Sequence, residues 1–168
     1  SSSSTGRVRP SASLPGWGII FEVCTDPESN LGIAAEEYNK VKLIRITKDF
    51  DWDDSESVNQ VIDMARNNPG ASAHGSIPCT DWTSWQNINI AKHGLPYLKE
   101  LIKRRKVSIR QLKNFIRLAE VILDQGGEVS FEWPSSCSGW RIPELITFIS
   151  KYNLYTVTVD GCALGMTN

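Results

Sequence analysis

The feature that most constrains this chain is an alternation of short apolar runs with longer stretches of helical spacing. Gly18-Ile19-Ile20-Phe21-Glu22-Val23-Cys24 is a nearly continuous apolar run, the pattern of a strand buried on both faces. Residues 41–47 read as a second strand near an edge, because Ile44 breaks strict alternation. Residues 71–77, rich in small side chains, lead as a strand into Pro78-Cys79, and residues 128–133 form another that Pro134 stops. Residues 154–160 read as the last strand. Between these runs, Ser29 or Asn30 can cap a helix to about 38, and Ser55 or Ser57 opens one carrying Val58, Val61, Ile62 and Ala65. A polar aromatic loop from Trp82 through Trp85 to Asn89 precedes helices over 96–106 and 108–124, and a further helix spans 143–152. Strands and helices in this order predict one α/β domain over 17–168, a Rossmann-like, mainly parallel sheet with helices on both faces.

A chain of 168 residues can bury one full core but not two ordinary ones. Residues 1–16 are polar and Ser-rich, and read as a disordered leader or the cut end of a longer chain. The net charge of -1 gives no global attraction to nucleic acid or membrane, so any electrostatic binding must come from a local patch. No stretch has the apolar length of a membrane span. Cys24, Cys79, Cys137 and Cys162 are widely spaced with no CxxC pair, which argues against a zinc finger or disulfide scaffold and for a reducing setting, nucleus or cytoplasm.

Ligands of parallel α/β sheets sit beyond the carboxyl ends of the strands. In this chain those ends gather thiol, acidic and aromatic side chains. Cys79 opens a loop after a proline, where backbone N–H groups can stabilise a thiolate; the alternative is an inert, semi-buried cysteine. Glu132 lies between Phe131 and Trp133, a setting that can raise a carboxyl pKa and make a proton donor. It can equally cap the following helix or pair with Arg141. Trp82, Trp85, Trp133 and Trp140 crowd the same edge and can stack on a base or anchor loops. Lys92, Lys99, Lys103, Arg104, Arg105, Lys106, Arg110, Lys113 and Arg117 face only Glu100 locally, a run that can meet phosphates or stay solvated. A metal site on the cysteines lacks paired spacing, and a Cys79–His74 hydrolase lacks a third partner.

Ser76-Ile77-Pro78-Cys79-Thr80 with a downstream Glu132-Trp133-Pro134 resembles the DNA cytosine-5 methyltransferases, which carry Pro-Cys after one central strand and Glu-Asn-Val after the next. The likeness extends to Phe21-Glu22-Val23-Cys24 and to Gly161-Cys162-Ala163-Leu164-Gly165. Across about 18–165 the pattern also resembles a methyltransferase-like segment of retrotransposon-type polyproteins of algae and other protists. The resemblance implies a truncated methyltransferase-like fold that uses S-adenosylmethionine and acts on cytosine in nucleic acid. It implies Cys79 as nucleophile on the ring and a protonated Glu132 on N3. Glu22, Cys24, Asp26 and Asn30 would lie beside the cofactor, with Asp49 or Asp51 near its adenosine, and Trp82, Trp85, Trp133 and Arg141 would face the base. Gly32 is the sole glycine near the first loop, where the family is glycine-rich, and Thr80 stands where it has Gln. A methyltransferase-like domain without catalysis, serving as a binding or structural part of a mobile-element polyprotein, is the alternative, and a metal- or redox-linked module built on the cysteines is a third.

Overall fold

The structure, a computed structural model, describes residues 2–7, 18–25, 42–47 and 50–159. Its strands are β1 (Ser2–Arg7), β2 (Ile19–Thr25), β3 (Lys42–Thr47), β4 (Ser72–Gly75), β5 (Val129–Pro134) and β6 (Tyr155–Val159). The helices are α1 (Ser55–Arg66), α2 (Trp85–Asp124) and α3 (Pro143–Lys151). Strands β2 to β5 are parallel and lie in the order β3-β2-β4-β5, the Rossmann-like 2-1-3-4 order counted from the first parallel strand. The α/β fold expected from the alternation is therefore present, and β3 is an edge strand as expected.

The first residues of the Ser-rich stretch carry a strand. Ser2–Arg7 is a strand, antiparallel to both β5 and β6, running from Ser2↔Pro134 to Arg7↔Val129. Its place between them gives the facing backbone groups of β5 and β6 a hydrogen-bonded neighbour, where an open gap would leave two unpaired edges. Residues 8–16 and the helix expected over 30–38 lie outside the described residues.

Period-2 alternation sets which side chains meet the helices. Phe21 and Val23 of β2, Ala73 of β4, and Val129, Phe131 and Trp133 of β5 are buried on one face. Against them pack Val58 and Ile62 of α1, Leu112, Phe115 and Ala119 of α2, and Leu145 and Phe148 of α3. Each large side chain so buried contributes about 1.5–3 kcal/mol of apolar transfer. All three described helices share this face, as right-handed crossovers in one direction along the sheet require. For the opposite face, the expectation of helices falls on residues outside the described set.

Two local readings change. The loop expected from Trp82 to Asn89 turns helical at Trp85, where α2 begins, and Gln86 is pinned inside by its side-chain Nε2–H donating to the Thr80 carbonyl at 2.8 Å. Gly94 (φ 70°, ψ -155°) then breaks the helix, and Pro96 sits in the first turn of the resumed stretch, where its missing N–H has no partner to lose. From there to Asp124 the helix is continuous, so the two segments expected over 96–106 and 108–124 are one. Helix α1 starts at Ser55 as expected, but its cap is Asp54, whose carboxylate accepts the Ser57 N–H at 2.9 Å. Among the described residues no helix is long and apolar enough to cross a membrane.

Candidate functional site

The loops after β4 and β5 form one joined edge. Cys79 is half-buried against the core and heads a 3-10 turn at Thr80–Trp82, its carbonyl accepting the Trp82 N–H at 2.8 Å. Trp82 is tied to α2 twice: its indole N–H donates to Ser108 Oγ at 2.9 Å, and the Arg105 guanidinium lies 4.9 Å above its ring. Trp133, only 2% exposed, donates its indole N–H to the Ile77 carbonyl, and Ser138 Oγ donates to the Trp82 carbonyl at 2.8 Å. Trp140 donates to the Pro134 carbonyl at 2.9 Å and meets Trp133 edge-on. Gly139 is required beneath this stack, since a Cβ there would lie 2.4 Å from the Trp133 ring.

Of the aromatic residues expected to face a base, Trp82 and Trp133 thus serve as loop anchors. Trp85 is different: it is 69% exposed on the first turn of α2. Arg141 is exposed at the end of the second 3-10 turn, Ser138–Arg141.

Protonation runs against the expected chemistry. Burial pushes the Cys79 thiol up in pKa, which fits the inert, semi-buried alternative read from the sequence and runs against the thiolate that the resemblance implies. Cys137, buried across the edge, is pushed up to about 11, by its burial first and with the neighbouring Cys79 adding to it. Glu132 moves the other way: the pairing with His74 holds its carboxyl below the ordinary range despite partial desolvation, with Ser76 assisting. The expected proton donor is a carboxylate because Phe131 and Trp133 alternate onto the helix side of β5, leaving Glu132 on the other.

That other face carries a polar network spread across four strands. In register, Arg45 of β3 lies beside Glu22 of β2, Glu22 beside His74 of β4, and His74 beside Ser130 of β5. Arg45 Nε stands 3.8 Å from Glu22 Oε2, and His74 Nδ1 is 2.7 Å from Ser130 Oγ. His74 Nε2 is 3.8 Å from Glu132 Oε1, which also accepts from Ser76 Oγ at 3.3 Å. Sequence reading weighed His74 against Cys79 and missed this network; the signal was the alternation Ser72, His74, Ser76 matched by Ser130, Glu132. The structure therefore brings Glu132 to His74, and Cys79 to Cys137, on opposite sides of the sheet.

The cofactor candidates divide. Glu22 is 1% exposed, and its Oε2 receives no hydrogen bond, the one donor-seeking buried carboxylate oxygen among the described residues. Cys24, one residue before the end of β2, has φ 58°, a left-handed conformation uncommon for a non-glycine residue, and burial lifts its thiol to about 12. Asp51 accepts the Asp53 and Asp54 N–H groups at 3.1 Å, so its carboxylate shapes the turn into α1. Asp26, Asn30 and Asp49 lie outside the described residues.

The basic run has more acidic opposition than its neighbours in sequence supply. Asp53 holds Arg110 through two hydrogen bonds of 2.6 and 2.8 Å, Asp81 holds Arg104 at 2.8 Å, and Glu100 holds Lys103 at 3.0 Å. Arg117 donates to Asn59 at 2.7 Å. Lys99, Lys106 and Lys113 are exposed and make no ion pair among the described residues. No group of three or more His, Cys, Asp or Glu side chains is placed to hold a metal ion among the described residues. Compared with known proteins, the chain matches no family model, no curated protein and no solved structure.

Proposed function

We propose that this chain is a methyltransferase-like α/β domain that binds nucleic acid along helix α2 and does not itself methylate cytosine. The observation that carries this reading is the placement of Lys99, Lys103, Lys106, Arg110, Lys113 and Arg117. Their spacing of four and three residues keeps all six exposed on one stripe, opposite Leu101, Leu112, Phe115 and Ala119, which are buried. At 1.5 Å per residue the stripe runs about 27 Å along a straight helix, a length suited to successive phosphates. The non-catalytic half of the reading is supported by the two protonation states. Cytosine methylation needs a thiolate and a protonated glutamate, and here burial favours the Cys79 thiol while His74 favours the Glu132 carboxylate.

Fluorescence anisotropy with labelled single- and double-stranded oligonucleotides tests the binding. Affinity that weakens steeply as salt is raised is expected; no binding to either probe at low salt removes the reading. A parallel assay with methyl-labelled S-adenosylmethionine is expected to show no label in cytosine, and incorporation that depends on Cys79 would restore the catalytic reading.

One observation favours a second reading, cofactor binding at the switch point of the sheet. The chain turns one way from β2 to β3 and the other way to β4, the topological switch point at which ligands of such sheets bind. Glu22 Oε2 is buried and receives no hydrogen bond, its nearest cation being Arg45 Nε at 3.8 Å. S-adenosylmethionine would supply an electrophilic methyl group there, with Glu22 and Cys24 as its described neighbours. Calorimetry decides: no heat at millimolar cofactor ends this second reading and leaves the first intact.

A further inference from the structure

We propose that Cys79 and Cys137 form a reversible redox pair that closes to an intramolecular disulfide in the presence of a small-molecule disulfide. The geometry rests on how the two loops are fastened. On the first loop, Cys79 lies between Ile77 and Trp82, whose carbonyls are both held by the second loop, through Trp133 Nε1 and Ser138 Oγ. On the second loop, Cys137 lies between those same two donors. Each cysteine is therefore bracketed by the two ties that join the loops. Both also pack against one cluster: Cys137 is a member of the buried core, and Cys79 lies on its surface. The two sulfurs are near enough for the charge of one to disfavour ionisation of the other.

Exposure orders the steps. Cys79 is half-buried and Cys137 is buried, so the incoming reagent meets Cys79 first. The Cys79 thiolate attacks one sulfur of the small disulfide, breaking its S–S bond and releasing one small thiolate. The Cys137 thiolate then attacks the Cys79 sulfur of the mixed disulfide and releases the second. Two protein thiols are oxidised, one small disulfide is reduced to two thiols, and the two protons end on those thiols. Closure would lock the Trp82 loop, and through Ser108 and Arg105 it would fix α2 to the edge of β5.

The test is a peptide map of the full chain. The protein is incubated with excess oxidised glutathione, quenched in acid, alkylated and digested. The expected product is a Cys79–Cys137 linked peptide, formed about tenfold faster per pH unit between about pH 7 and 9, because thiolate limits both steps. Cys79→Ser should give no link, and Cys137→Ala should stop at a glutathione adduct on Cys79. If the second variant misfolds, the wild-type map still decides. Recovery of wild-type Cys79 as a stable glutathione adduct, as free thiol, or linked to Cys24 or Cys162 would overturn the proposal.

Discussion

His74 on β4 and Glu132 on β5 meet across a parallel strand pair, Nε2 to Oε1 at 3.8 Å, and this contact favours the ionised form of Glu132. His74 is itself oriented by Ser130 through Nδ1, so the imidazole is held in the plane that reaches Glu132. A carboxyl whose ionised form is favoured is a poorer source of the proton that the methyltransferase resemblance assigns to it. The pairing therefore bears on function before any ligand is considered.

Titration of the Glu132 carboxyl carbon by NMR is expected to show a midpoint below the ordinary glutamate value of about 4.3. With the folded pKa lowered, the ionised side chain stabilises the fold above that unfolded value. Its contribution is lost as pH falls through the lower folded midpoint. Glu132 is 48% exposed, so solvent screening keeps this contribution small, at most about 0.5 kcal/mol. His74→Ala should return the midpoint to the ordinary range. A wild-type midpoint at or above that range would mean that desolvation outweighs His74.

The second prediction concerns the tie between the two loops. Trp133→Phe keeps most of the buried ring but leaves the Ile77 carbonyl without its donor. An unsatisfied buried acceptor costs about 1–3 kcal/mol. Urea denaturation should show a loss in that range with an unchanged slope. A loss indistinguishable from zero would mean that the ring alone, packed edge-on against Trp140, holds the loop.

What the sequence made legible was whatever depends on near neighbours. Parallel strands buried on both sides leave short apolar runs, and Val58, Val61, Ile62 and Ala65 disclose the buried side of α1, so the α/β alternation followed. The fate of Glu132 was legible too, but the flanking aromatics misled: Phe131 and Trp133 alternate away from it, and its partner lies 58 positions back along the chain (132 − 74 = 58). Arg110 and Asp53 are likewise 57 positions apart, so no local count of charge could reveal that pairing. Helix Trp85–Asp124 was read as pieces because Gly94-Leu95-Pro96 punctuates it and the exposed Trp85 and Ile88 resemble loop residues.

The thiols give a third prediction. Burial lifts Cys24 to about 12 and Cys137 to about 11, and Cys79 is raised as well. Since the thiolate is the nucleophile, brief iodoacetamide treatment of the native protein near pH 8 should leave Cys24 and Cys137 largely unmodified. Labelling should increase with pH and become uniform once the chain is unfolded in urea. Rapid native labelling of Cys24 at neutral pH would show that its site is open to water, contrary to the burial that raises its pKa.

The last prediction separates a phosphate-binding stripe from a merely solvated helix face. Lys99, Lys106 and Lys113 recur every seven residues on α2, so they share one line along the helix, and no acidic side chain among the described residues pairs with them. Replacing all three by Gln removes three charges while keeping similar helix propensity and length, so helicity should be preserved. If each lysine displaces one counterion from duplex DNA, the slope of log affinity against log salt should flatten by about 0.9 per lysine, or about 2.7 in total. The matched control is Lys42→Gln with Lys151→Gln, which removes charge from β3 and α3 and leaves the stripe intact. Its slope should stay near that of the unaltered chain. Equal slopes for the stripe variant and the unaltered chain, at unchanged helicity, would assign the stripe to solubility and move any nucleic-acid contact elsewhere on the surface.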